Sequence, residues 1–483
     1  MDFRDILFGM TDAHAEREEH PELLLNGYLD LDKLLDHILN HKTFLVLGYK
    51  GSGKSALSEH LELAFDSERN AEEDEYLVTQ EFLSAFPYNK FAKIINGQEG
   101  KEVKSIAAWE WLLLTKILYI LKTDNDASFS NEGDIDTFTT YLTRHNVYPL
   151  KSLSALVMKS SARSFQAGFK GLNLELSSTN TDAELSYDVL IDFLKDIIAT
   201  CSGAHSHLLV IDGLDEILLN KDTQYTAIAA LINVARDLNR FFSRNNQPLK
   251  IIILCRTDIF ERLPDPNKNK MRSDYSFTLN WYNEGIQSEN DNHLIELVNK
   301  RAKLKYPEIE NVFTQFFPEY YENKKIPGAL LEHTRHTPRD FLQLMNRIQT
   351  NCSTPSVTKD EIAAGIKDYS ISYFLPENKD EMAGYINYQV IDEIISVLAS
   401  FRSREIEYAH LISRLEVILK NTTHTPTEVL KVLYDCSAIG QRYSYDEGET
   451  RFSFKYRNRN STLVTHQKIT IHKGLWKALN VNF

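Results

Sequence analysis

Cysteine is scarce. The four present, Cys201, Cys255, Cys352 and Cys436, form no CxxC pair, which argues against a zinc ribbon or a thioredoxin-type redox motif. A chain of 483 residues also needs no disulfide framework to fold. Long apolar runs are missing too. The longest, such as residues 251–255, are strand-sized and far below the ~20 residues of a membrane span. The opening MDFRDILFGMTD lacks a basic stretch ahead of an apolar core and does not read as a signal peptide. A cytoplasmic protein without membrane contact is therefore expected. Positive charge is in deficit, with 54 Lys and Arg against 68 Asp and Glu and a formal net charge of −14. A surface shaped throughout for nucleic acid is thus disfavoured, although a small basic module on an acidic body is compatible with it. No repeat of solenoid period is present.

What is present is an alternation of short apolar runs with helical patterns. Residues 44–47, 76–86, 208–211 and 251–254 read as strands. The runs at 208–211 and 251–254 are continuously apolar, as suits parallel strands buried on both faces. Helices are expected over 29–39 (with Asp30 as its cap), from 53 onward, and over 105–121, 188–199 and 225–242. This is the pattern of an α/β doubly wound sheet. After Trp281 the strand signal fades. Residues 289–306 and 328–350 read as helices and 376–385 as a linker. Helices at 388–400, 405–420 and 425–437 then precede a strand-rich tail over 441–471 with a hairpin turn at 446–448. Three domains are expected: 1–285, with an insertion around 85–185, then 286–375, then 385–483. In the insertion Trp109 and Trp111 are read as core residues.

Gly48-Tyr49-Lys50-Gly51-Ser52-Gly53-Lys54-Ser55, followed by Ala56, matches GxxxxGK[ST] at every required position. The glycines let the backbone turn so that N–H groups face phosphate oxygens. The helix that follows adds its positive end. Lys54 suits the β- and γ-phosphates, and Ser55 offers a hydroxyl to Mg²⁺. Strand before and helix after are the context that separates this motif from a chance glycine-rich turn. In Leu208-Leu209-Val210-Ile211-Asp212-Gly213-Leu214-Asp215-Glu216, Asp212 ends a buried strand as a Mg²⁺ carboxylate does. Asp215 and Glu216 follow where a residue orients or deprotonates water. Standing alone, this would read as a strand closed by an acidic turn.

The string LLVIDGLDE resembles the Walker B segment of NACHT and other STAND NTPases. That resemblance implies Asp212 as the metal aspartate, with Asp215 and Glu216 sharing the catalytic role. The AAA+ pattern of a glutamate directly after the aspartate is not met, because Gly213 stands there. Ile251–Arg256 resembles a sensor-1 strand and implies Arg256 near the γ-phosphate. Thr337-Pro338-Arg339-Asp340-Phe341 resembles the sensor-2 helix start of a helical lid, as in origin-recognition and KAP-like ATPases, and implies Arg339 as a nucleotide contact. Phe8-Gly9 with Asp12-Ala13, and the closing Ile471-His472-Lys473-Gly474-Leu475, are similar to a group of bacterial P-loop ATPases. The fold so implied is a P-loop NTPase sheet (AAA+/STAND-like), a helical lid and a winged-helix-like C-terminal domain. The activity implied is Mg²⁺-dependent ATP hydrolysis. ATP is favoured over GTP by the resemblance, with no NKxD-type motif present. A homo-oligomer, an effector protein partner and a role in antiviral defence are expectations of the same kind. Arg262, Lys268 and Lys270 are candidates for a trans-acting cation. In the tail Arg442, Arg451, Lys455, Arg457, Arg459, Lys468 and Lys473 interleave with aromatics, a pattern that suits DNA or RNA contact or, equally, a solvated wing.

Overall fold

The computed structural model describes the chain outside residues 66–75, 85, 95–100, 145, 150–151, 161–186, 215–221, 283–291, 445–449 and 482–483, and outside the side chains of 101, 102 and 222. The chain forms two compact units. One comprises residues 32–48 and 57–278. The other comprises 1–31, 49–56 and 279–483.

The first unit is built on a five-stranded sheet. Its strands are β1 (Leu45–Gly48), β2 (Tyr76–Phe82), β3 (Ser206–Asp212), β4 (Leu249–Arg256) and β5 (Ser276–Leu279), in the spatial order β2-β3-β4-β1-β5. The pairs β2/β3, β3/β4 and β4/β1 are parallel. Leu45 to Leu47 and Ile251 to Cys255 have essentially no exposed surface, as their unbroken apolar runs require in a sheet covered on both faces. The helices α1 (Lys54–Ala64), α2 (Lys101–Thr123), α3 (Tyr187–Ala199) and α4 (Asp222–Arg244) follow the expected positions with longer ends. A further helix, Glu132–Arg144, is one the sequence reading did not anticipate. Trp109 and Trp111 are fully buried. Each satisfies its indole N–H, Trp109 on the Ala227 carbonyl at 2.8 Å and Trp111 on Ser160 Oγ at 2.9 Å. They are core residues, as expected. Residues 161–186, at the end of the expected insertion, lie outside the described residues.

The second unit joins the first residues of the chain to its C-terminal half. Arg301, on α5 (His293–Lys305), is buried against Glu16 at 2.7 Å. Gly9 has φ +129°, and a Cβ there would collide with the Arg301 guanidinium, which accounts for the glycine of the Phe8-Gly9 pair. Asp12 caps the helix Ala13–Glu19. The single helix expected over 328–350 is two, Ile326–Leu331 and α6 (Pro338–Thr350), broken where Thr337 caps the second with Pro338 in its first turn. The expected linker at 376–385 is instead helical. A π-helical turn, Ser370–Phe374, carries α7 (Lys359–Tyr369) directly into α8 (Leu375–Ala383). The charged composition misled, because α8 buries Asn378 and Met382 and turns Glu377 and Glu381 onto cations of neighbouring elements. Expected helix 29–39 also differs. It is a short turn, Leu31–Lys33, followed by Leu34–Asn40, whose cap position is Lys33.

The tail has α9 (Tyr388–Ser400), α10 (Tyr408–Leu419) and α11 (Pro426–Asp435). Four strands follow the order β6-β9-β7-β8, where β6 is Glu405–Ile406, β7 Ile439–Ser444, β8 Thr450–Ser453 and β9 Lys468–Ile471. The β7/β8 pair is antiparallel, and its turn lies outside the described residues. Gly474 explains the closing motif, since a Cβ there would sit 2.4 Å from the His333 carbonyl oxygen.

Gly365 on α7 is packed so closely on α6 that a Cβ would lie 2.5 Å from Ile348 Cα. Gly365→Ala should therefore destabilise the chain by about 2 kcal/mol through overpacking. Gly133→Ala, where a Cβ meets nothing within 4 Å, should be neutral or stabilising by up to ~1 kcal/mol from helix propensity. Thermal melts of the two variants check this, and equal effects would contradict the helix contact.

Candidate functional site

The carboxyl ends of β1, β4 and β3 bring together three of the sequence-predicted residues. Gly48 pairs with Arg256 in register, and Asp212 closes β3 on the next strand but one from β1. Asp212 is buried, and its Oδ1 accepts the Gly213 N–H at 2.7 Å. Gly213 itself has φ +78°, and a Cβ would stand 2.9 Å from the Ser84 amide nitrogen. That backbone approach gives a physical reason for glycine, rather than glutamate, after the aspartate. Arg256 is buried and turned onto Asp258 in a two-point pair, Nε to Oδ1 at 2.9 Å and Nη2 to Oδ2 at 2.8 Å. Asp215 and Glu216 lie outside the described residues.

The loop that leaves Gly48 turns through Gly51 and Gly53, both in the left-handed region at φ +79° and +95°. The Ser52 N–H closes the turn on the Tyr49 carbonyl at 3.1 Å. Lys54, buried at the first position of α1, donates to the same carbonyl at 3.2 Å. Ser55 and Ala56 follow in the first turn of α1. Space in front of Gly53 is open, since a Cβ there meets nothing within 4 Å. Ser52 Oγ is buried with no hydrogen-bond partner among the described residues. Positive-φ glycines, an open cradle and a helix start are what a phosphate chain needs, so the residues fit the group the motif implies.

The loop is held by Trp281, which the sequence did not flag, and by the turn that carries Arg339. The Trp281 indole N–H donates to the Ser52 carbonyl at 2.9 Å. The backbone N–H of Arg339 donates to the Gly51 carbonyl at 3.3 Å. A Cβ on Gly51 would crowd Arg339 Cβ at 3.1 Å and Thr337 Oγ1 at 3.3 Å. Arg339, expected as a nucleotide contact, thus meets the loop through its main chain. The Arg339 guanidinium faces Glu377, Nη1 to Oε1 at 3.4 Å, and the same oxygen takes Lys50 Nζ at 3.0 Å. One carboxylate on α8 therefore ties a loop lysine to the α6 arginine.

The turn carrying Arg339 is fixed by a buried network. Arg335 grips Asp340 through Nε at 2.9 Å and Nη2 at 3.0 Å, and Tyr373 donates to Asp340 Oδ1 at 3.0 Å. Glu381 takes the remaining side of the guanidinium. Burial pushes the Asp340 carboxyl up, but Arg335 more than offsets this and leaves it below its ordinary value. Glu377 behaves alike, with burial outweighed by Lys50, Arg335 and Arg339.

Most cations singled out in the tail are engaged. Arg442 pairs with Glu405 at 2.6 Å, Lys468 with Glu407 at 2.8 Å, and Lys473 with Glu322 at 2.8 Å. Lys455 donates to the Ser461 carbonyl, and Arg457 is stacked among Tyr282, Phe454 and Tyr456. Arg451 and Arg459 lie exposed.

Residues 292–375 match a family model described as a FunZ-associated C-terminal helical domain. No curated protein sequence matches the chain. Among solved structures, the Aeropyrum pernix Orc1 protein in complex with DNA is similar at 10% identity and a TM-score of 0.37, covering 95% of this chain and 92% of that one. Cdc6p from Pyrobaculum aerophilum aligns at 12% identity and 0.32, covering 98% and 95%. Drosophila ORC bound to DNA gives 12% and 0.32, covering 99% and 91%. Scores this low assign neither fold nor activity. The sheet order and the loop are established by their own geometry. No helix among the described residues is long and apolar enough to cross a membrane.

Asp340 and Glu377 both have folded values below their ordinary 3.8 and 4.5. The stability they contribute is in place above those ordinary values and is lost as pH falls through the lower folded ones. Asp340→Asn should accordingly lower the thermal midpoint strongly at pH 7, because it leaves Arg335 buried with less compensation, a loss of about 3–5 kcal/mol. The loss should shrink as pH falls from 3.8 through the lower folded value of Asp340. A loss that grows as the pH falls would contradict the direction of this linkage.

Proposed function

We propose that this chain is a P-loop ATPase that binds and hydrolyses ATP with Mg²⁺ and uses the nucleotide as a switch. The observation that supports it most is the loop itself, two positive-φ glycines between a parallel strand and the helix that begins at Lys54. In this reading Gly48, Lys50, Gly51, Ser52, Gly53, Lys54, Ser55 and Ala56 bind the phosphates. Ser55 and Asp212 hold the metal, and Asp215 and Glu216 share the water-orienting role. Mg²⁺, when bound, supplies neutralisation of charge on the phosphate oxygens. Lys54 supplies a fixed ammonium, and its buried position excludes water around it.

The switch reading draws on the residues behind the loop. Gly51 meets Arg339 and Thr337. The adjacent His336 ring stacks on Tyr456 at 5.5 Å and meets Tyr282 at 5.1 Å. The Tyr49 hydroxyl reaches toward the Lys455 carbonyl at 3.5 Å. A change at the phosphates thus has a packed route to the winged-helix-like tail. Arg339 and Lys50 exchange Glu377 for phosphate in this scheme, and hydrolysis returns them. Assembly with further copies or with an effector protein, as in antiviral defence, is the output we attach to it. Arg451 and Arg459 are exposed among the tail cations, and in this reading they are where any nucleic acid would be met.

ATP hydrolysis and nucleotide binding, measured for wild type, Lys54→Ala and Asp212→Asn, test the proposal. Lys54→Ala should lose binding. Asp212→Asn should keep binding and lose Mg²⁺-dependent turnover by about a hundredfold or more, as removal of a preorganised charge does. Glu377→Gln should tighten nucleotide binding about threefold to tenfold by removing a competitor worth ~1 kcal/mol. Turnover unchanged in both Lys54→Ala and Asp212→Asn would refute the assignment.

A further inference from the structure

The amino ends of the sheet strands frame a cavity of about 740 Å³, within the ~300–1,000 Å³ of small-molecule sites. It lies at the end of the sheet opposite Gly48, Asp212 and Arg256. Residues just ahead of β1 and β5, the starts of β2, β3 and β4, and the last turns of α4 line it. None of the lining residues is acidic, and Lys42, Arg236, Arg240, Arg244 and Lys250 are basic. That concentration stands out in a chain of net charge −14.

Three of the five already have protein partners. Arg236 is paired with Asp237 at 2.8 Å and 3.0 Å. Lys250 holds the main chain ahead of β1, donating to the carbonyls of Ile38 and His41. Arg240, about half exposed, donates to the Tyr275 hydroxyl, lies 5.3 Å over that ring and is 3.7 Å from Asp237. Arg244 is one helical turn further along α4, and both Arg244 and Lys42 are exposed. Two forked guanidiniums and an ammonium around a concave space suit phosphate oxygens.

His207 adds a second requirement. It lines the cavity and is only 4% exposed. Burial pushes its imidazole down, so the ring is neutral at pH 7. Its Nε2 is 3.1 Å from Asp124 Oδ2. Burial pushes the Asp124 carboxyl up, but the Asp126 N–H and His205 outweigh it and keep Asp124 below its ordinary value. An ionised carboxylate only accepts, so Nε2 carries the proton and Nδ1 is an acceptor. That Nδ1 is buried and has no hydrogen-bond partner among the described residues, a costly state unless something donates to it.

We propose that this cavity is a second ligand site, separate from the phosphate loop, for a phosphate ester of nucleotide size. Its phosphate sits on Lys42, Arg240 and Arg244, and a hydroxyl or amine donates to His207 Nδ1. The concave shape and the single orphan acceptor favour a small molecule over a polymer backbone, which would need an extended basic stripe.

Isothermal titration of the full-length Lys54→Ala chain, with its phosphate loop disabled, tests this with AMP, ADP and ribose 5-phosphate. At least one of the three should bind at one site per chain. Adding Arg240→Gln and Arg244→Gln should weaken that binding about tenfold or more, and adding His207→Phe instead should also weaken it. The two arginines are surface positions, so the melting temperature should stay unchanged and report an intact fold. Absence of binding for all three probes, or binding that the arginine changes leave untouched, overturns the proposal. Because the phosphate loop is silenced throughout, neither result bears on the ATPase reading.

Discussion

Everything at the candidate site depends on one main-chain contact, the Arg339 N–H donated to the Gly51 carbonyl. A positive-φ glycine loop has no side chains of its own to define its position, so it takes its shape from what packs behind it. Here that is the turn at the start of α6. The turn is rigid because Arg335, Asp340 and Tyr373 form a closed buried set, with Thr337 capping the helix through the Asp340 N–H. Buried ion pairs contribute little net stability when intact, yet breaking one is costly. Such a pair is suited to holding one geometry, and the geometry held is that of the glycine loop at 48–55.

The ionic layer above that contact is built differently. Glu377 is partly exposed and shared between Lys50 and Arg339. One carboxylate serves two cations, so a phosphate group that takes over either cation leaves Glu377 with the other. The Arg335–Asp340 pair sets the frame and the Glu377 pairs are the movable part. Aromatic contacts from His336 to Tyr456 extend the frame to the tail. The same tail spends most of its cations on internal partners.

Much of this was legible in the sequence. The strands read correctly because parallel strands buried on both faces must be continuous apolar runs. The glycines of the expected phosphate loop were legible, and Gly51 and Gly53 take the positive φ that their spacing suggested. Gly213 was seen as a departure from one pattern, and its cause, contact with the backbone of residue 84, appears only in three dimensions. Residues 376–385 were misread because a charged, proline-containing stretch looks like a linker. Pro376 in fact follows the π-helical turn Ser370–Phe374 within a continuous helical run. With that misreading went Glu377, whose role depends on two residues far away in the chain. Trp281 and Arg335 were missed for the same reason, since no local spacing announces a long-range contact. The basic cavity was invisible because its cations come from separate strand ends and one helix.

The most direct test of the central claim uses Trp281, whose indole N–H is bonded to the loop at Ser52. Tryptophan emission is recorded as ATP and Mg²⁺ are titrated into wild type and into Trp281→Phe. The account predicts a saturable change in wild type that is absent from Trp281→Phe although that variant still binds ATP. Nucleotide binding with no change attributable to Trp281 would mean that the loop and the residues packed behind it do not respond together, contradicting the switch.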